Sequence, residues 1–159
     1  MKAMYIIAGV IVLLLVLALT GKKSVHHEIS INASVEKVWK TLMDMESYPD
    51  WNPTMKRLEG EVIEGNKVKY LFTQEEGKSY EVSSTVANII ENKLLNQKGG
   101  VPWVLTFNHK YIVEAQGSTS KVIIHEDYTG LGVHFWNPAP VEEAYQRLNE
   151  ALKAKVEGG

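Results

Sequence analysis

From Met55 to Gly130 the hydrophobic period of the chain is two residues, and only short turns interrupt it. MKRLEGEVI (55–63) and KVKYLFTQ (67–74) are separated by EGN, a hairpin signal. KSYEVSSTVANII (78–90) follows EEG, ENKLLNQK (91–98) follows directly, and WVLTFNHKYIVEA (103–115) follows the turn GGVP. KVIIHEDYTG (121–130) comes last, after QGST and Ser120. Period-two segments joined by short turns predict an antiparallel meander, which needs cover on one face. The cover comes from PAPVEEAYQRLNEALKAKVEGG, where Pro140 opens a helix and Val141, Ala144, Tyr145, Leu148, Leu152 and Val156 form one apolar stripe. One helix cannot close down on a curved sheet everywhere, so a cavity between them is expected, and apolar cavities bind small ligands.

The segment before the meander adds a strand and a helix. HHEISINA (26–33) alternates, and Ser34 is an N-cap for a helix whose stripe is Val35, Val38, Trp39 and Leu42. SYPDWNP (47–53) ends that helix and places Trp51 in a proline-flanked turn. The expected fold class is therefore α+β: a curved antiparallel sheet of about seven strands wrapped around a long C-terminal helix.

Residues 3–20, AMYIIAGVIVLLLVLALT, contain no charge. In a helix they span ~27 Å, close to the ~30 Å of a bilayer core. The competing reading is a secretory signal, but Ala18 and Thr20 make a poor cleavage pair, and Lys22-Lys23 resemble a stop-transfer flank. The expected organisation is a single-pass anchor with a short basic linker, residues 1–23, followed by one domain, residues 24–159. The Lys bias slightly favours a cytoplasmic domain. Beyond residue 23 the chain has 19 acidic against 14 basic residues, which argues against nucleic acid as a partner. There is no cysteine, so thiol chemistry and Cys-based metal sites are excluded. The adjacent His26 and His27 point to opposite faces of a strand, and no metal or other cofactor is expected.

The last hairpin yields the sharpest expectation. With QGST as its loop, Ala115 pairs with Ser120, and Val113 faces Val122, Tyr111 faces Ile124 and His109 faces Glu126. Phe107 and Tyr128 extend this inward row. Lys110, Glu114, Lys121, His125 and Asp127 face solvent, with Ile112 and Ile123 as exceptions. A buried His109–Glu126 pair has three readings: a self-satisfied structural pair, a polar anchor for a ligand, or an acid/base pair. Tyr70 and Phe72, and Val82 and Val86 on the neighbouring strand, are either cavity wall or core. Trp103 is a candidate gate, Trp51 a candidate plug or ligand contact, and Tyr145 joins the candidates from the closing helix.

INASVEKVWKTLMDMESYPDWNP, KVIIHEDYTGL and AYQRLNEALKAKVE occur in the order seen in the START/SRPBCC group, the Bet v 1-like, polyketide cyclase/dehydrase-related helix-grip proteins, which residues 25–157 resemble. Ser34 stands where many members have Pro; both suit a helix start. The resemblance implies a hydrophobic cavity for lipids, isoprenoids, polyketides or similar molecules, and in some members a cyclase or dehydratase activity. The expected function is membrane-tethered binding of a small hydrophobic ligand. The alternatives are a cyclase/dehydratase-type enzyme using His109 and Glu126, and an interaction module assisting a membrane complex.

Overall fold

The computed structural model describes residues 2–158, and its seven strands form one antiparallel sheet. The strands are β1 (Lys22–Ile31), β2 (Met55–Glu59), β3 (Lys67–Glu75), β4 (Lys78–Ile90), β5 (Leu94–Val101), β6 (Leu105–Gln116) and β7 (Thr119–Thr129). The order across the sheet is β1-β7-β6-β5-β4-β3-β2, so β2 through β7 form a meander and β1 joins beside its last strand. The chain crosses from one sheet edge to the other through two short helices, α2 (Val35–Met43) and α3 (Tyr48–Trp51). Bulges between Arg57 and Glu59, Thr73 and Glu75, and Val86 and Asn88 interrupt the ladders. Each bulge bends its strand and increases the local twist, which curls the sheet into a half-barrel.

The long helix α4 (Ala139–Gly158) lies in the concave face. Its buried residues are the predicted stripe plus Asn149, whose Nδ2 lies 2.9 Å from His27 Nδ1 and 3.3 Å from the His27 carbonyl. Ser34 caps α2 through Lys37 N–H, and Val38, Trp39 and Leu42 are buried against the core. The apolar helix α1 (Lys2–Thr20) is long and apolar enough to cross a bilayer, and none of its described residues is buried.

Four local expectations are corrected. The short basic linker expected at the end of residues 1–23 is not free chain: β1 begins at Lys22, and the carbonyl of Gly21 accepts from Gly130 N–H at 3.1 Å. SYPDWNP is not wholly irregular, because Pro49 suits the start of a helical turn and Asn52 Oδ1 accepts from Thr54 and Met55 N–H. β5 begins after a turn at Asn92 and runs through the GGV of the expected turn to Val101, because glycines tolerate the close strand contact there. The last hairpin turns on Gly117 and Ser118 alone, since Gln116 also pairs with Thr119. This shorter loop keeps the predicted register, with His109 opposite Glu126.

Leu148 is fully buried at the middle of α4. Leu148→Ala is expected to destabilise the fold by ~2–5 kcal/mol, read as a lower urea midpoint with an unchanged slope.

Candidate functional site

The C-terminal half of α4 packs down solidly through Leu148, Leu152 and Val156, whereas Val141 and Tyr145 in its N-terminal half face a cavity of about 660 Å³. Alternate residues of β3, Tyr70, Phe72 and Gln74, form one wall, and Tyr80, Val82 and Ser84 of β4 continue it. Gln97, Phe107, His109, Glu126 and Tyr128 supply the floor from β5, β6 and β7. Gly99 makes this floor possible. A Cβ on Gly99 would lie 2.4 Å from both Phe107 Cζ and the Ser83 carbonyl, so only glycine lets the Phe107 ring lie across β5. Phe135, Trp136 and Asn137, and the paired Glu75 and Lys78, reach the cavity near its rim.

Eight of the twelve candidate residues line this cavity: Tyr70, Phe72, Val82, Phe107, His109, Glu126, Tyr128 and Tyr145. The other four are placed elsewhere. Val86 and Tyr111 are buried in the core, with the Tyr111 hydroxyl 3.8 Å from Met55 Sδ. Trp51 is turned by α3 onto Tyr48, with ring centroids 4.9 Å apart, and its Nε1–H donates to Ser47 Oγ; it packs against the core and touches no part of the cavity. Trp103 is exposed in the β5–β6 turn and is not among the residues that line the cavity. Lining residues not singled out as candidates from the sequence include Tyr80, Ser84, Gln97, Met55 and Trp136. Ser84 and Tyr80 were legible on the inward face of β4, but the contributions of Gln97 and Met55 depend on sheet curvature and that of Trp136 on the 3-10 turn before it.

The polar groups on the floor are tightly coupled. Glu126 Oε2 accepts hydrogen bonds from the hydroxyls of Tyr145 and, at 2.5 Å, Tyr128. His109 Nδ1 lies 3.1 Å from the Tyr145 hydroxyl and 3.6 Å from Glu126 Oε2. Burial pushes the Glu126 carboxyl up, but His109 and the two tyrosine hydroxyls outweigh it and hold Glu126 below its ordinary value. Burial, followed by the adjacent Glu126 charge, raises Tyr128 and Tyr145, so both remain donors. Because the Tyr145 proton is committed to Glu126, its oxygen can only accept from His109. The network thus assigns the proton to Nδ1.

The opposite edge of His109 carries an atom without a hydrogen-bond partner. Among the described residues, four buried side-chain polar atoms lack a hydrogen-bond partner, and two of their side chains, His109 (through Nε2) and Ser84 (through Oγ), line this cavity. An unmet buried polar atom costs ~1–3 kcal/mol, which a bound donor would offset. Elsewhere on the last hairpin, His125 and Asp127 bond to each other on the convex face, where His26 packs edge-on against His125.

Glu126 has a folded pKa below its ordinary value of 4.5, so its ionised form stabilises the fold. That contribution is fully present above the unfolded value and is lost as pH falls through the lower folded value. Acid unfolding of the wild type should therefore steepen below the ordinary glutamate range. Glu126→Gln should flatten that limb while lowering stability near neutrality, as measured by urea titrations across pH.

Solved structures confirm the architecture. The chain aligns to Zhui aromatase/cyclase from a Streptomyces species with a TM-score of 0.70 and 14% identity, covering 86% of this chain and 94% of that one. Ginseng major latex-like protein 151 from Panax ginseng aligns with a TM-score of 0.69 and 16% identity, covering 85% and 97%. Norcoclaurine synthase from Thalictrum flavum aligns with a TM-score of 0.66 and 16% identity, covering 87% and 88%. At these identities the likeness is one of fold, and among curated proteins none matches the sequence. Residues 22–157 match the family described as polyketide cyclase/dehydrase and lipid transport, and with its helix-grip fold the chain belongs to that family.

Proposed function

We propose that the domain binds a small, neutral, largely apolar molecule in the α4 cavity, and that α1 tethers it to a membrane. One observation carries this reading: a cavity of about 660 Å³ walled by aromatic and aliphatic groups, with the unpartnered His109 Nε2 and Ser84 Oγ belonging to its lining residues. That volume lies within the ~300–1,000 Å³ typical of small-ligand pockets. The ionised Glu126 disfavours a carboxylate or phosphate deep inside, and the one lysine among the described lining residues, Lys78, is already paired with Glu75 near the rim. A hydroxyl donating to His109 Nε2, on a lipid, isoprenoid or similar skeleton, fits these constraints. Lys22 and Lys23 after the helix, against Lys2 before it, support a cytoplasmic domain.

A second reading rests on the same histidine. With Nδ1–H held towards Tyr145 and Glu126, Nε2 of a neutral His109 has the lone pair a general base needs. This is the cyclase- or dehydratase-type reading, to which the fold shared with Zhui aromatase/cyclase lends support.

Native mass spectrometry of residues 21–159, followed by organic extraction, tests both readings. The wild-type domain should retain a neutral apolar molecule. Val82→Trp, which fills the cavity, should lose it, and His109→Ala should reduce its occupancy. An empty wild-type domain that also takes up no Nile red would overturn the binding reading. Recovery of chemically different molecules from wild type and His109→Gln, both folded, would favour catalysis.

A further inference from the structure

The cavity mouth and the end of the apolar helix are built into one another. The carbonyl of Leu17, one turn inside α1, accepts from His134 Nε2 at 2.9 Å, and Gly21 bonds to Gly130. His134 belongs to the 3-10 turn Leu131–Phe135, which is tied in turn to the β5–β6 turn: Leu131 N–H donates to the Trp103 carbonyl at 2.9 Å, and Gly132 N–H to the Val104 carbonyl at 2.7 Å. No slack is available at the junction, because a Cβ on Gly21 would fall 2.0 Å from the Gly130 carbonyl oxygen. The two turns form a tip whose side chains are apolar and exposed, with Trp103 at 63% and Phe135 at 82% of full accessibility, beside Val101 and Val104. Trp103 is held at φ +68°, a left-handed conformation that a bulky residue adopts at a cost. Segments 99–108 and 128–141 contain no Asp, Glu, Lys or Arg, although the domain around them is acidic. Phe135, Gly100 and Leu105 from this tip also line the cavity.

From these contacts we infer that the tip is a lipid-docking surface. When α1 spans a bilayer, Trp103, Val104 and Phe135 insert at the level of its last turn, and the cavity opens towards the acyl chains rather than towards water. The inference rests on the tethered-binding reading. The occupant is a bilayer because the tip is bonded to the helix that would enter one, within ~5.4 Å of axial rise of its end. Trp and Phe suit the boundary between headgroups and acyl chains. The uncharged tip also lets an acidic domain approach without placing its carboxylates against anionic headgroups.

The full chain reconstituted into phosphatidylcholine vesicles tests this directly. Comparison of wild type with Trp103→Phe isolates the Trp103 emission, which should be blue-shifted, quenched by lipids brominated near the carbonyl end of the acyl chains, and shielded from aqueous iodide. The chain has no natural cysteine, so Phe135→Cys carrying an NBD fluorophore gives an independent probe that should brighten and be quenched by the same lipids. Flotation of the same samples reads the tether separately. Protein that floats while both positions remain iodide-accessible and insensitive to bromolipid overturns the docking and leaves the tether standing. Protein that does not float overturns both. Shielding of both positions without bromolipid quenching would mean a protein occupant and would also overturn the inference. None of these readouts requires a bound ligand, so they are independent of the extraction result.

Discussion

A seven-stranded curled sheet covered by a single helix is the constraint on which the rest of the molecule depends. α4 is long enough to cross the concave face, but its stripe changes character along its length. Leu148, Leu152 and Val156 are buried without remainder, whereas Val141 and Tyr145 face open volume. The core therefore lies at one end of the helix and the cavity at the other. The bulges in β2–β4 and the bare backbone of Gly99 set the curvature and leave room for Phe107 to lie inside it.

Within that volume one charge organises the polar chemistry. Glu126 is buried, yet it remains in its ionised form because two tyrosine hydroxyls and a histidine converge on it. Partly satisfied buried networks are costly, and this one leaves its unmet valence on His109 Nε2, facing away from the carboxylate. The network thus immobilises one edge of the imidazole and leaves the other without a hydrogen-bond partner. Binding and proton transfer both need that arrangement, which is why a single histidine supports both readings.

The path of the chain out of α1 links the cavity to its surroundings. β1 starts two residues after the helix ends, and its ladder with β7 continues almost to the turn that carries Phe135. The Leu17–His134 and Gly21–Gly130 hydrogen bonds hold the end of the helix against the turn that carries Phe135, contacts that a free linker would lack. Under the docking inference, the exposed aromatics at the junction have a setting in which their exposure to water is relieved.

Much of this was legible in the sequence. Periods of two and 3.6 determined the number of strands, the covering helix and its stripe, because each period reports which face of an element is apolar. The alternation in the last hairpin was enough to oppose His109 and Glu126, and the result survived a wrong loop length because Gln116–Thr119 lies in the same register. The fate of the aromatics was not legible. Trp51 and Trp103 both lie near prolines, yet one is folded by α3 against Tyr48 and the other is exposed outside the cavity lining, since local backbone angles, not composition, aim the side chains. Tyr111 and His109 share a strand face, but curvature sends one into the core and the other into the cavity. By itself the sequence determined which faces are apolar and which strands are opposed, both of which are local properties of period and register. Only the tertiary structure decided which apolar face is covered and which remains open, because that depends on how far the sheet curls before one helix runs out of surface to fill it.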